Sequence, residues 1–351
     1  MTRNEAGCKN EPHAGTPNMR YFISHPENAA EEALAGILSL TNVPVRRVDQ
    51  HSAVVYGENS KRKTKIVIGG GSGHEPLFLG LVGPGLADGA VAGQVFAAPT
   101  PEAILAVVQE VGAPEGVLLV YGNYSGDVLN FGVAADDAAK IGVKTAEIRV
   151  HDDIASASAS EMEDRRGISG DIFVIKVISA AADLGMPFRE VLRVGEKINF
   201  QTRSLGVASQ AATSIDTGRP MFELPDGEME IGMGLHGEMG VQRSSYEPAK
   251  SIVPRMMEML LADFEQSKLP LSRAAIMING LGSTTVLELL VISGFVRNFL
   301  DRHSIPVVHQ VVGEFATSLD MAGFSISISQ LDEELEPLLS AKCQSFCYTK
   351  Q

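Results

Sequence analysis

Three short stretches carry the residue types that do chemistry. Gly69-Gly70-Gly71-Ser72-Gly73-His74-Glu75-Pro76 places an imidazole and a carboxylate inside a glycine-rich loop. Gly122-Asn123-Tyr124-Ser125-Gly126-Asp127 presents a carboxylate just after a glycine. Gly234-Leu235-His236-Gly237-Glu238 sets a histidine between glycines, with an acid two residues on. An imidazole with room around it can serve as nucleophile or base, and Glu238 can orient one of its nitrogens. Asp127 can take a proton from a substrate hydroxyl. The glycines of the first loop let backbone N–H groups approach a polar or anionic ligand.

Each stretch also has a plainer use. The first would make a tight turn, Asp127 would cap a helix, and a lone histidine is more often structural than catalytic. Several activities drop out on spacing. No Lys-Ser or Lys-Thr follows the glycines, so the first loop is not a phosphate-binding P-loop. Pro76 stands where a dinucleotide fingerprint needs its third glycine. Ser72 lacks the G-x-S-x-G frame of a hydrolase nucleophile.

The elements that must position these loops alternate. Residues 25–40 read as a helix capped by Asn28, with Ala33, Leu34, Ile37 and Leu38 on one face. Strands are expected at 52–56, 63–68, 116–121 and 144–149, with helices at 133–141, 171–184 and 188–200. The glycine-rich loop should join its strand to a helix. Beyond residue 200, strands at 228–235, 274–278, 307–313 and 325–328 alternate with helices at 254–264 and 285–302. The pattern is α/β: two domains with mainly parallel or mixed sheets covered by helices. In such sheets ligands sit beyond the carboxyl ends of strands, where all three loops fall. The expected divisions are a flexible segment at 1–19, a first α/β domain at 20–200 with the glycine-rich and Asp127 loops, and a second at 201–351 with His236. Met19 is an alternative start.

Composition narrows the partners. The 351 residues are 44% hydrophobic and 21% charged, a globular balance. A formal charge of −14 repels phosphate backbones, so no nucleic-acid partner is expected. No apolar run would span a bilayer and no signal peptide is visible, so the reading is cytoplasmic, without a membrane partner. Cys8, Cys343 and Cys347 are too few for a disulfide framework, and Cys343 and Cys347 lack further ligands nearby for a metal. Asp152-Asp153 reads as a solvated helix start more than a cation site, and Lys61-Arg62-Lys63 as a solvated turn.

The loops together resemble the DhaK subunit of dihydroxyacetone kinases. The matching stretches, in order from about residue 20, are GGGSGHEP (69–76), PTP (99–101), NYSGDVLNF (123–131), the Asp-Asp of HDDIA (151–155), RRG (165–167), EMEIGMGLHGE (228–238), NGLGST (279–284) and TSLDMAGFS (317–325). The resemblance implies a DhaK-like fold and three catalytic residues. His236 adds to a ketone carbon as a covalent hemiaminal, Asp127 is the general base, and His74 assists. It implies substrate contacts at Gly71, Ser72, Gly73, Ala98 and Gly122. No cofactor or metal is expected in this chain; ATP or ADP with magnesium would sit on a DhaL-type nucleotide-binding partner, and a phosphotransferase-system protein is the other donor route. A homodimer and a small ketose substrate are implied as well. Gly122 stands where a lysine usually precedes Asn-Tyr, and Ala98 where a polar residue often contacts substrate. The emptier pocket would suit a four-carbon ketose such as erythrulose. The alternative is a non-catalytic DhaK-like sensor that acts on transcription.

Overall fold

The computed structural model describes residues 21–40, 44–57 and 64–351. The expected flexible segment at 1–19, with Met19 as a start, and Cys8 and Lys61-Arg62-Lys63 lie outside the described residues.

Two six-stranded mixed sheets form the frame. The first contains β1 (Val45–Arg47), β2 (Ala53–Tyr56), β3 (Thr64–Ser72), β4 (Gly89–Val95), β5 (Gly116–Gly122) and β6 (Thr145–Val150), in the order β1-β2-β4-β3-β5-β6. β4, β3, β5 and β6 run parallel, β2 pairs antiparallel with β4, and β1 pairs antiparallel with β2. The chain leaves β3 toward β4 on one side and returns to β5 on the other. The carboxyl ends of β3 and β5 therefore flank a topological switch point, where a crevice opens. The second sheet contains β7 (Thr202–Gln210), β8 (Glu228–Ile231), β9 (Gln242–Ser245), β10 (Ala274–Gly280), β11 (Val307–Gly313) and β12 (Ala322–Gln330), in the order β11-β10-β12-β7-β8-β9. Only its β10–β11 pair is parallel.

Helices cover both sheets. They are α1 (Ala29–Leu38), α2 (Pro101–Val111), α3 (Ser125–Lys140), α4 (Asp171–Asp183), α5 (Phe188–Phe200), α6 (Ala249–Gln266), α7 (Val286–Arg302) and α8 (Leu335–Ser340). Helices α2 and α3 pack on one face of the first sheet through Ile104, Val107, Phe131 and Ala134. α4 lies on the other face, and its residues from Asp171 to Ala182 are all buried. Ser169, just before it, hydrogen-bonds Ser325 and Ser327 of β12 at 2.8 and 2.7 Å. Phe173 meets the ring of His309 on β11. One apolar core thus runs from Ile66 and Val120 of the first sheet through Ile172 and Val174 to Ala275 and Met277 of the second. α6 and α7 close the far side of the second sheet.

Several boundaries differ from the sequence reading. α3 begins at Ser125, not near 133, because the Ser-Gly-Asp turn is already helical. The glycine-rich loop is followed by a single 3-10 turn, Leu79–Leu81, in place of a helix. β3 runs on through three glycines to Ser72. A side chain at Gly70 would meet the Phe78 ring at 2.1 Å, so the missing Cβ is what lets that ring close over the strand. Asn28 occupies the N-cap position of α1 but makes no capping hydrogen bond. Pro254 falls inside α6, which starts at Ala249. β1, β4, β9 and α2 went unread. The strands are short or made of small residues such as Gly-Ala-Val-Ala-Gly, with little periodic signal, whereas α2 carries local signals in its Thr100 cap, Pro101 and the buried face of Ala103, Ile104, Val107 and Val108.

Asp152-Asp153 is the clearest correction. Both residues are fully buried, not solvated. Asp152 accepts the backbone N–H of Ile168 and of Gly170, each at 2.8 Å, and so fixes the entry to α4. Asp153 pairs with Arg166 at 2.7 Å. The neighbouring Arg165, itself buried, shares the carboxylate of Asp263 with Arg203.

Candidate active site

His74 and His236 come from loops on different sheets and meet. Their Nε2 atoms lie 3.0 Å apart. The segment after β11 holds both loops. The Leu319 N–H donates to Gly73 O, the Thr317 hydroxyl to Glu75 O, and the Ser318 hydroxyl to Leu235 O. This TSLD stretch is part of the family resemblance, but its sequence carries no sign that it joins the two loops. At Gly73, φ is +96°, a conformation that favours glycine. Gly237 is the equivalent at the other loop, with φ +81°.

Proton positions follow from the partners. Thr317 O lies 2.7 Å from His74 Nδ1, so that nitrogen carries the hydrogen. His74 Nε2 then offers a lone pair, and His236 Nε2–H donates to it. His236 Nδ1 faces Glu238 Oε1 at 3.2 Å. Interaction with His236 and with Arg166 holds the Glu238 carboxyl down at about 2 despite burial, so it is an anion. Burial, with His236 close by, pushes His74 down to about 3, so the His74 ring is neutral and its Nε2 can accept. Arg166 links Glu238, at 3.8 Å, to Asp153. The RRG and HDD stretches thus brace His236 from behind. The rings of Phe96 and Tyr124 pack edge-on to His236 at 5.2 and 4.7 Å.

Asp127 lies in the first turn of α3, beyond the end of β5. It is not the cap, a position held by Tyr124. Its Oδ1 is buried without a hydrogen-bond partner. Desolvation raises its carboxyl from 3.8 to about 7, with His236 opposing. That is the range in which a carboxylate works well as a general base near neutral pH.

Asp127, His74 and His236 line one narrow cavity of about 20 Å³, with Gly71, Gly122, Gly167, Tyr124 and Asp171. Of the other expected substrate contacts, Ser72, Gly73 and Ala98 are not on its wall. The Ser72 hydroxyl turns away to Gly93 O at 2.7 Å. Gly73 N–H is taken by Glu75 Oε2 at 2.8 Å. Ala98 packs near Gly126. Tyr124 and Asp171 carry no signal of their own in the sequence, although Tyr124 falls within the NYSGDVLNF stretch of the family resemblance. A larger groove of about 270 Å³ lies between β7, α6 and α7, lined by Val207, Met229, Leu287 and Phe324. Its acids are Glu247, paired with Arg255, and Glu288, used in the capping box of α7, so it offers no comparable chemistry.

Fold and site together define an α/β protein with two histidines and a buried aspartate lining one cavity at a switch-point crevice. Comparison with known proteins is specific. Residues 35–347 match the Dak1 domain. The chain is 39% identical over 330 residues to the PTS-dependent dihydroxyacetone kinase 2, dihydroxyacetone-binding subunit DhaK, of Listeria innocua, covering 93% of this chain and 98% of that one. It is 40% identical to the D-erythrulose kinase of Mycolicibacterium smegmatis, covering 95% of this chain but 57% of that longer protein. Among solved structures, the dihydroxyacetone kinase from C. freundii with AMP-PNP and Mg2+ superposes with TM-score 0.84 at 31% identity, over 95% of this chain and 61% of that one. A dihydroxyacetone kinase operon co-activator, Dha-DhaQ, superposes with TM-score 0.85 at 29% identity, over 91% and 98%. The chain belongs to the DhaK family, phosphotransferase subunits that use an alcohol group as acceptor. Among the described residues no helix is long and apolar enough to cross a membrane.

Proposed function

We propose that this chain is the ketose-binding subunit of a short-ketose kinase, that it captures its substrate covalently on His236, and that Asp127 accepts the proton of the hydroxyl that is phosphorylated. The observation that carries the reading is one cavity shared by a solvent-reachable imidazole braced by Glu238 and an unpartnered carboxyl at about 7.

Capture starts as the Nε2 proton of His236 passes to the lone pair of His74 Nε2, 3.0 Å away. The cavity is too small for a sugar until the two rings part. The freed lone pair forms a bond to the ketone carbon, the carbonyl π pair moves to oxygen, and that oxygen takes the proton that His74 received, which leaves His74 neutral again. No water leaves, so the adduct carries the full mass of the sugar. Glu238 offsets the positive charge that the alkylated imidazole acquires. Polyols lack a carbonyl and cannot be held this way, which separates them from ketoses by chemistry more than by shape. Ionised Asp127 then removes the proton from the terminal hydroxyl as its oxygen attacks phosphorus. The phosphoryl group comes from ATP or ADP with magnesium held by a DhaL-type partner, or through a phosphotransferase relay. The substrate is dihydroxyacetone or a four-carbon ketose such as erythrulose, the latter favoured by the bare Gly122 wall. A homodimer in the cytoplasm completes the proposal.

Intact-mass measurement of the purified chain with dihydroxyacetone, erythrulose and glycerol tests it. The expected result is a full-mass adduct with ketoses only, absent in His236→Ala. Adduct formation unchanged in that variant would overturn the assignment. The co-activator likeness supports a sensor as the second reading. Phosphorylation by the chain with a nucleotide-bearing partner would exclude it.

A further inference from the structure

The cavity contains a second buried carboxyl that capture and transfer, as set out above, do not use. Asp171 opens α4, is 2% exposed, and lines the cavity with Asp127 and His236. Its Oδ1 is shut away from solvent with no hydrogen-bond partner. An aspartate in the first turn of a helix ordinarily earns its place by binding backbone N–H groups. Here Asp152 does that work, through the N–H groups of Ile168 and Gly170. Asp171 is left as a buried polar group without a structural task, a state that native proteins seldom retain without a reason.

Its surroundings say what would satisfy it. Burial, with Asp152 and Asp127 nearby, raises its carboxyl well above the usual range. That favours the protonated form, which has one O–H to donate and one oxygen to accept. A sugar hydroxyl has the complementary pair. The approach is kept open by two glycines. A Cβ on Gly167 would come within 3.2 Å of Asp171 Oδ1 and 2.6 Å of Gly122 Cα. A Cβ on Gly122 would come within 3.2 Å of the Tyr124 ring.

We infer that Asp171 is a substrate-binding group that hydrogen-bonds the terminal hydroxyl of a four-carbon ketose at the end remote from phosphorylation, and thereby selects such sugars over dihydroxyacetone. The inference rests on the proposed function: with His236 on the carbonyl carbon and Asp127 at the reacting hydroxyl, the remaining polar contact falls to the other end of the sugar. A three-carbon ketose ends one carbon sooner and leaves the acid unmatched.

The test is adduct titration by intact mass, which needs no partner subunit, on wild type, Asp171→Ala and Asp171→Asn. In Asp171→Ala the apparent affinity for erythrulose should fall about ten-fold, the scale of one lost buried hydrogen bond, with dihydroxyacetone changed less than about three-fold. Asp171→Asn, which keeps a donor and an acceptor, should retain most of the preference. Asp171→Leu, similar in volume, repeats the measurement should the alanine variant not fold. With a phosphorylating partner present, the loss should appear in KM for erythrulose, with kcat changed little. The melting temperature of unliganded Asp171→Asn should equal or exceed wild type, as expected for a group without a structural partner. Equal losses for both ketoses, or a lower melting temperature in Asp171→Asn, would overturn the inference while leaving capture on His236 intact. Failure of wild type to form an adduct with any ketose would instead remove the proposed function and this assignment with it.

Discussion

Replacing Asp127 by asparagine separates the two roles a buried acid can have. In the folded chain its carboxyl rises from 3.8 to about 7, chiefly by desolvation. A folded value above the unfolded one means that ionisation opposes folding. The penalty is absent below about pH 4, grows between there and about 7, and is complete above. Three units correspond to about 4 kcal/mol at about 1.36 kcal/mol per unit. Asparagine keeps the shape and never ionises. Asp127→Asn should therefore be more stable than wild type by up to about 4 kcal/mol at pH 8.5, and no more stable at pH 4. Urea unfolding at the two pH values measures this directly. The same variant should form the ketose adduct normally and lose about 10²- to 10⁴-fold in phosphorylation. An equal loss of stability at both pH values would refute the reasoning, because it would make Asp127 a structural partner.

Wild-type phosphorylation should climb as pH rises through about 7, because Asp127 must be ionised to act; a profile flat from pH 5.5 to 8.5 would contradict that role. Glu238→Gln removes the anion facing His236 Nδ1 that would offset the charge of the alkylated ring, so ketose capture should fall about ten-fold or more in titrations by mass. Gly122→Lys would fill the wall beside Asp171, and should lower kcat/KM for erythrulose more than for dihydroxyacetone. Asp263→Ala strands Arg165 and Arg203, both fully buried, and should cost about 3–5 kcal/mol in chemical denaturation.

Much of the frame was readable in the chain. α5 and β11 fall on the expected residues, and α7 starts one residue after Thr285, which caps it as a capping box. These elements have strong periodicity or distinct caps, so local signals suffice. β4 did not announce itself, because its small residues fit between neighbours and carry no alternation. The acids were harder. Asp152 and Asp171 look like surface residues in any single-chain reading. Burial is decided by α4 lying between two sheets, which is a tertiary fact. Of the site, the two histidines and Asp127 stood out by their glycine neighbours. Nothing in the spacing could say that their loops, 162 residues apart for the histidines, touch.

That touch has a consequence for how the molecule can be divided. One imidazole rides on a loop of the first sheet and the other on a loop of the second. If His236 captures the sugar as proposed, a fragment ending near residue 200 would keep His74 and Asp127 with nothing to hold the substrate, and its complement would keep His236 without them. Under the proposed mechanism neither portion could work alone, since a shift of about an ångström between them would part the two imidazoles.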